Sequence, residues 1–287
     1  MGTKGRLAVA QELIAGGIKV KRACEIVGLS SSTLYTPSQS AKAQSDLSLI
    51  AHLRSTARAG QGYRLTMERL RAAWESEHGR LNHKRVWRLW KQAGLGLTVK
   101  VKRKKRRTGA KVPCAAVAAN QVWCVDFCYD ACLNGQQLKI LAVKDEYTRQ
   151  CLALEVATSM KSQQVQNVLK ALFQTHGTPR FVRSDNGSEF VAKALSLWLQ
   201  TNGSASYFIA PGSPWQNGHA ESFISRLRAE CLDADVFYNL NHARIQLEMY
   251  RQDYNQYRPH SALKYLTPDQ FAQALKAGKG NGDTLDS

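Results

Sequence analysis

The sequence predicts an α/β core preceded by an all-α region, and three observations carry that reading. Apolar runs of strand length alternate with helix-period stretches from residue 120 onward, whereas the first hundred residues show helical periods and short breaks only. The net charge of +18 is confined to one part of the chain: residues 1–113 hold 24 Lys and Arg against 6 Asp and Glu, and the remainder holds 16 of each. A length of 287 residues leaves room for about two domains, the larger with a substantial core.

The N-terminal elements are short. Leu7 to Ala15 and Lys21 to Val27 are helical patterns, Gly28-Leu29-Ser30 is a turn, and Ser31 to Tyr35 starts another helix. That spacing is helix–turn–helix, over residues 1–40. Thr36 to Ser40 reads as a linker. A second helical pair is expected within 41–98. Leu65, Met67, Leu70 and Trp74 form one stripe; Asn82 suits an N-cap, with Val86, Leu89 and Trp90 facing inward. Either pair suits DNA reading or a small structural bundle, and the charge excess favours DNA. An acidic membrane surface is the competing polyanion, but no basic amphipathic helix with aromatic anchors stands out. Residues 99–118 form a basic linker. Its six consecutive cations, Lys102, Arg103, Lys104, Lys105, Arg106 and Arg107, suit a segment that tracks a phosphate backbone.

The core is expected over 119–235. Strands are predicted at 121–129, 137–144 and 150–156 as an antiparallel meander. A helix follows from Ser162 to Gln174, then a strand at 180–184, a helix at 189–200, a strand near 205–209 and a helix opened by Glu221. This is the element order of the ribonuclease H-like fold, a mixed five-stranded sheet flanked by helices. Helices at about 240–256 and 267–277 and a frayed tail complete residues 236–287.

Three acids stand in distinct settings. Asp126 interrupts an apolar strand, Asp185 ends another before Asn186-Gly187, and Glu221 rides on a helix. Two strand-borne aspartates and a helix-borne glutamate suit two hard divalent ions over a phosphodiester, Mg²⁺ with Mn²⁺ as a substitute. Phe223, Ile224, Leu227 and Cys231 form the apolar stripe of the Glu221 helix. Glu221, Ser225 and Arg228 share its polar side, where Arg228 suits a neighbouring phosphate. Asp145-Glu146 is expected in a solvated turn, and Glu189 in the first turn of a helix. Cys124, Cys128 and Cys132 invite a zinc reading, but Cys124 and Cys128 share a strand face with poor tetrahedral geometry. His219 reads either as a visitor to the site or as a loop residue. The loop 211–218 suits a lid, with Trp215 a base-stacking candidate or a packed residue and Asn217 a candidate DNA contact.

Seven cysteines without pairing rhythm and no export signal point to a reducing cytosol. No apolar run is long enough for a membrane span.

The segments Trp123-Cys124-Val125-Asp126-Phe127, Ser184-Asp185-Asn186-Gly187-Ser188-Glu189-Phe190 and Gln216-Asn217-Gly218-His219-Ala220-Glu221-Ser222-Phe223 resemble the signature of DDE transposases and retroviral-type integrases. The run from Tyr254 to Leu263 with Leu266-Thr267-Pro268 is similar to the tail of bacterial insertion-sequence transposases of the IS-three family. Gly62-Tyr63-Arg64 and Asn82-His83-Lys84-Arg85-Val86 resemble that family's second helix-turn-helix, which makes Lys84 and Arg85 candidate DNA contacts. The resemblance covers about residues 15–275.

The resemblance implies a polynucleotidyl transferase that cuts element ends with Mg²⁺ and joins the freed 3′-hydroxyl to DNA. It makes Asp126, Asp185 and Glu221 the metal ligands and Arg228 the auxiliary cation. It implies a dimer or tetramer on paired terminal inverted repeats, acting on target DNA in the bacterial cytoplasm. No His/His/Cys/Cys module precedes residue 113, and no heptad run is present, so the chain is expected to be the downstream product of a fusion. Two other readings stay open: a non-catalytic regulator of element ends, and a ribonuclease H-like nuclease on RNA–DNA hybrids.

Overall fold

The computed structural model describes residues 2–35, 39–97, 115–210 and 214–278. The chain divides into two compact units, Met1–Ser55 and Thr56–Ser287. The basic run Lys102 to Arg107 and the tail beyond 278 lie outside the described residues.

The first unit is helical: α1 (Thr3–Ala15), α2 (Val20–Val27), α3 (Ser31–Tyr35) and most of α4 (Gln39–Thr56). Gly28 ends α2 in the left-handed conformation, which turns the chain toward α3 as the sequence predicts. The helix α4 is a finding: Gln39 and Ser40, read as linker, are helical, and within the helical stretch expected over 41–98 the sequence places no particular element at 41–56. Its buried Leu49 and Leu53 stand one turn apart in a segment otherwise rich in Ser, Ala and Gln.

The second unit begins with α5 (Tyr63–His78) and α6 (His83–Gln92). Asn82 caps α6 by accepting from the Lys84 amide at 2.9 Å. Next come β1 (Val122–Ala131), β2 (Gln137–Asp145), β3 (Cys151–Ala157), α7 (Ser162–His176), β4 (Phe181–Ser184), α8 (Ser188–Val191), α9 (Lys193–Thr201) and β5 (Ala205–Phe208). The predicted helix 189–200 is thus two helices, broken where Ala192 turns extended. A 3-10 turn at Pro214–Asn217 leads into α10 (Gly218–Leu227), which opens three residues before Glu221 and runs into a π-helical turn, Arg228–Leu232. The helices α11 (Leu240–Gln256) and α12 (Pro268–Lys276) close the unit.

The sheet order is β3-β2-β1-β4-β5, with β1 central, antiparallel to β2 and parallel to β4. This is a ribonuclease H-like sheet. One core lies on each of its faces. Trp123 and Val125 of β1 pack with Val165 and Leu169 of α7 and Leu195 and Leu199 of α9. Cys128 packs on the other face with Phe223 and Leu227 of α10 and Leu247 and Tyr254 of α11. Because strand side chains alternate, Asp126 belongs to the face covered by α10.

The α5–α6 region is tied to this core. Arg69 donates to both carboxylate oxygens of Asp253 in α11, at 2.8 and 3.3 Å. Gly60 has a left-handed backbone, and a Cβ there would stand 2.2 Å from the Ala229 carbonyl oxygen. Among the described residues no helix is long and apolar enough to cross a membrane.

Candidate active site

The β1–β4 pairing sets the first relation in the site. Cys124 faces Arg183 across the parallel pair, so carrying the register two residues further brings Asp185 level with Asp126. Side chains at one level of neighbouring parallel strands point to the same face, about 4.8 Å apart strand to strand. Glu221 stands on the exposed side of α10 with Ser225 and Arg228, while Phe223 and Leu227 are buried against β1 and β2.

The Asp126 carboxyl senses the other two. Burial pushes Asp126 up to about 6; the bond from the Phe127 amide opposes this, and the charges of Asp185 and Glu221 add to it. None of the three is ion-paired among the described residues. They are not drawn to metal-ligand spacing, for no group of three His, Cys, Asp or Glu among the described residues is that tight. The local reason is visible. Asp126 accepts from the Phe127 amide at 2.8 Å, and Asp185 accepts from the Gly187 amide at 3.0 Å. A side chain at Gly187 would crowd the same carboxylate, its Cβ standing 3.1 Å from the Asp185 Oδ1. Asn186 fixes the same loop by donating to the Ile209 carbonyl at 2.9 Å. In chemistry the donor set fits a hard divalent ion: it is all carboxylate oxygen and carries unneutralised negative charge.

Arg228 donates to the Tyr129 carbonyl at 3.1 Å, so it reaches the end of β1 from the π-helical turn. Glu189 occupies a first helical turn, as expected, and is held below the usual carboxylate range by its bond from Lys139. The solvated turn expected at Asp145-Glu146 is wrong. Both residues are buried. Asp145 accepts from the amides of Asn120, Tyr147 and Thr148, at 2.7 to 2.8 Å, and Glu146 meets the fully buried Arg183 at 2.6 Å. These bonds anchor the β2–β3 turn to the start of β1 and so brace the strand that carries Asp126. Burial pushes the thiols of Cys124 and Cys128 up to about 12, which keeps them protonated and poor as metal ligands.

On the opposite flank of Glu221 the chain is cationic. Arg149, left-handed in backbone, donates to the His219 ring. Burial, then the charge of Arg149, lowers His219 to about 3; burial and then Arg258 lower His260 to about 2.

Family models described as the integrase core domain match residues 116–214 and 202–268. The uncharacterized 31.7 kDa protein of insertion element IS407 from Burkholderia multivorans is 38% identical over 264 residues, 91% of this chain and 92% of that one. The uncharacterized 39.2 kDa protein of insertion element IS476 from Xanthomonas euvesicatoria is 32% identical over 277 residues, 96% of this chain and 79% of that one. The chain belongs to the DDE transposases of the IS-three insertion-sequence family. A further relative is the transposase InsD for insertion element IS2D of Escherichia coli, 30% identical over 200 residues, 67% of this chain and 66% of that one. Among solved structures, the catalytic core domain of BIV integrase aligns with 56% of this chain and 98% of its own, at 18% identity and a TM-score of 0.42.

Other residues singled out in the transposase fall as follows. Lys84 is exposed and Arg85 half-buried in the first turn of α6. Asn217 is buried, and its Oδ1 has no partner among the described residues. The Trp215 side chain lies outside the described residues. The sequence reading missed Lys144, Arg149, Arg226 and His260, which gather beside Glu221. The Pro259-His260 motif was the available signal, but periodicity does not say what it faces.

Proposed function

We propose that the transposase cuts DNA at the ends of its element and transfers the freed 3′-hydroxyl to DNA, with Mg²⁺ held by Asp126, Asp185 and Glu221. The observation that supports this is three carboxylates without ion partners among the described residues, with Asp126 raised first by burial and further by the charges of Asp185 and Glu221. Divalent ions bound there supply activation of the attacking oxygen and stabilisation of the departing one. The chain's own contribution is position. The braced β1 fixes Asp126, the register sets Asp185 beside it, and α10 brings Glu221 from above the same face. Arg228 uses one N–H on the Tyr129 carbonyl and keeps others for a phosphate next to the cut.

In hydrolysis, water adds to the phosphorus and the 3′-oxygen leaves as a hydroxyl. In transfer, that hydroxyl attacks a second phosphodiester and displaces its 3′-oxygen. Lys84, Arg85 and the basic run 102–107 are proposed to hold duplex DNA, with a dimer or tetramer pairing the two ends.

Glu221→Gln and Asp185→Asn are expected to lower cleavage of a labelled element-end duplex by more than the roughly 100-fold that partners outside the ligand set typically cost. Binding of the same duplex should stay within a few-fold. Normal cleavage by either variant would refute the assignment.

A further inference from the structure

A cavity of about 1020 Å³ lies on the far side of Glu221 from the aspartates' loop. Four segments distant in sequence form it: residues 60–65 at the entry to α5, Lys144 and Arg149 around the β2–β3 turn, residues 216–226 around the start of α10, and the loop 258–265. Its charge is one-sided. Arg64, Lys144, Arg149, Arg226 and Arg258 line it, and Glu221 is the acid among the lining residues. Arg258 is neutralised by Glu230 behind the wall. Lys144 is 3% exposed, with the rings of Phe223 and Tyr254 at 5.6 and 5.8 Å from its ammonium and no salt bridge to a carboxylate among the described residues. A buried cation without a counter-charge is costly, and an anionic ligand removes that cost.

Buried polar atoms repeat the message. His260 is 7% exposed, and its Nε2 finds no hydrogen-bond partner among the described residues. The Gln61 Oε1, also on the wall, is likewise unsatisfied. The amide end of α5 opens onto the cavity at Tyr63 to Leu65, with no side-chain cap from Gly62. Two aromatic rings, Tyr63 and Tyr265, complete the lining, and Arg64 stands 5.9 Å from the centre of the Tyr63 ring.

We propose that this chamber is a site for single-stranded DNA, taking phosphodiesters and an unstacked base from a strand that has left the duplex next to the cut. The proposal rests on the DNA-cutting reading for its location but not for its chemistry. Cations that follow a backbone, interleaved with rings for unstacked bases, are the elements of single-strand recognition. A duplex carries its phosphates on the outside of a wide rod and does not enter a concavity of this size. A free phosphate leaves most of it empty, since the volume stands at the upper end of small-ligand pockets.

The test uses the full chain and a single-stranded oligonucleotide carrying 5-iododeoxyuridine, with photocrosslinks mapped by peptide mass spectrometry. This readout is local, so binding by the basic N-terminal region does not obscure it. Crosslinks are expected on the peptides holding Tyr63 or Tyr265. They should fall at least tenfold in Arg64→Glu and Arg226→Glu and persist in Lys170→Glu, an exposed reversal on α7 away from the cavity. Thermal melting checks that each variant folds. Crosslinks confined to other peptides overturn the proposal, as does an equal loss in Lys170→Glu. Equal crosslinking of the same sequence as a blunt duplex overturns the single-strand assignment. None of these outcomes depends on cleavage: a chain that crosslinks as expected but does not cut leaves the chamber standing and removes the catalytic reading.

Discussion

Single side chains in this transposase report their surroundings most clearly through protons. His260 is buried among cations: Arg258, Lys144, Arg226 and Arg149 all lower its proton affinity. The folded chain therefore binds fewer protons at this ring than the unfolded chain, whose histidines titrate near 6.5. Stability from this residue is complete above that pH and is lost progressively as pH falls from there toward the folded value of about 2. His176, also lowered by burial first, adds in the same direction. Denaturant unfolding between pH 7 and 5 should show stability falling with acid. His260→Gln should remove up to roughly 1.4 kcal/mol per pH unit of that slope at the acid end. Identical slopes in both proteins would show that the imidazole is not held neutral. The carboxylates were easier to find than to place. The sequence marks Asp126, Asp185 and Glu221 by their strand and helix settings. The amide bonds that hold the two aspartates, one within β1 and one in the turn after β4, are local contacts that no periodicity records.

Elements were legible where apolar residues must be buried. The continuous run Val122 to Cys128 announces β1, which is buried on both faces, and Val165, Leu169 and Leu172 announce α7, which buries one. The helix α4 was not legible, since only Leu49 and Leu53 are buried along a largely polar segment. Asp145-Glu146 misled for a related reason. Two adjacent acids look like a solvated turn, and the partners that make burial tolerable, Arg183 and the Asn120 amide, lie far away in sequence. The joint between the turn before α5 and the π-helical turn tests element packing directly. Gly60→Ala would force a Cβ into the Ala229 carbonyl and strain a left-handed backbone. A loss of roughly 3 kcal/mol in urea unfolding is expected. An effect under about 0.5 kcal/mol, the range of ordinary surface substitutions, would mean that this approach is not made.

The whole chain carries its excess charge at one end, and that asymmetry predicts how it meets DNA. Residues 1–113 hold a balance of +18, whereas the remainder is neutral. Duplex binding by the intact transposase should weaken steeply with salt. The logarithm of affinity should fall against that of salt with a slope beyond about −4, as five or more phosphate contacts require. A flat response would show that the basic end is not a phosphate grip. The asymmetry of charge was readable from counting alone. The meeting of residues 60–65 with 258–265 was not, because nearly two hundred positions separate them.

Glu230 has a consequence beyond its ion pair. It takes a bond from Gln61 at 3.2 Å and pairs with Arg258, while sitting in the turn that directly continues the helix of Glu221. One carboxylate thus ties three stretches of chain together: the turn that leads into α5, the loop at Arg258, and the turn that continues the helix carrying Glu221.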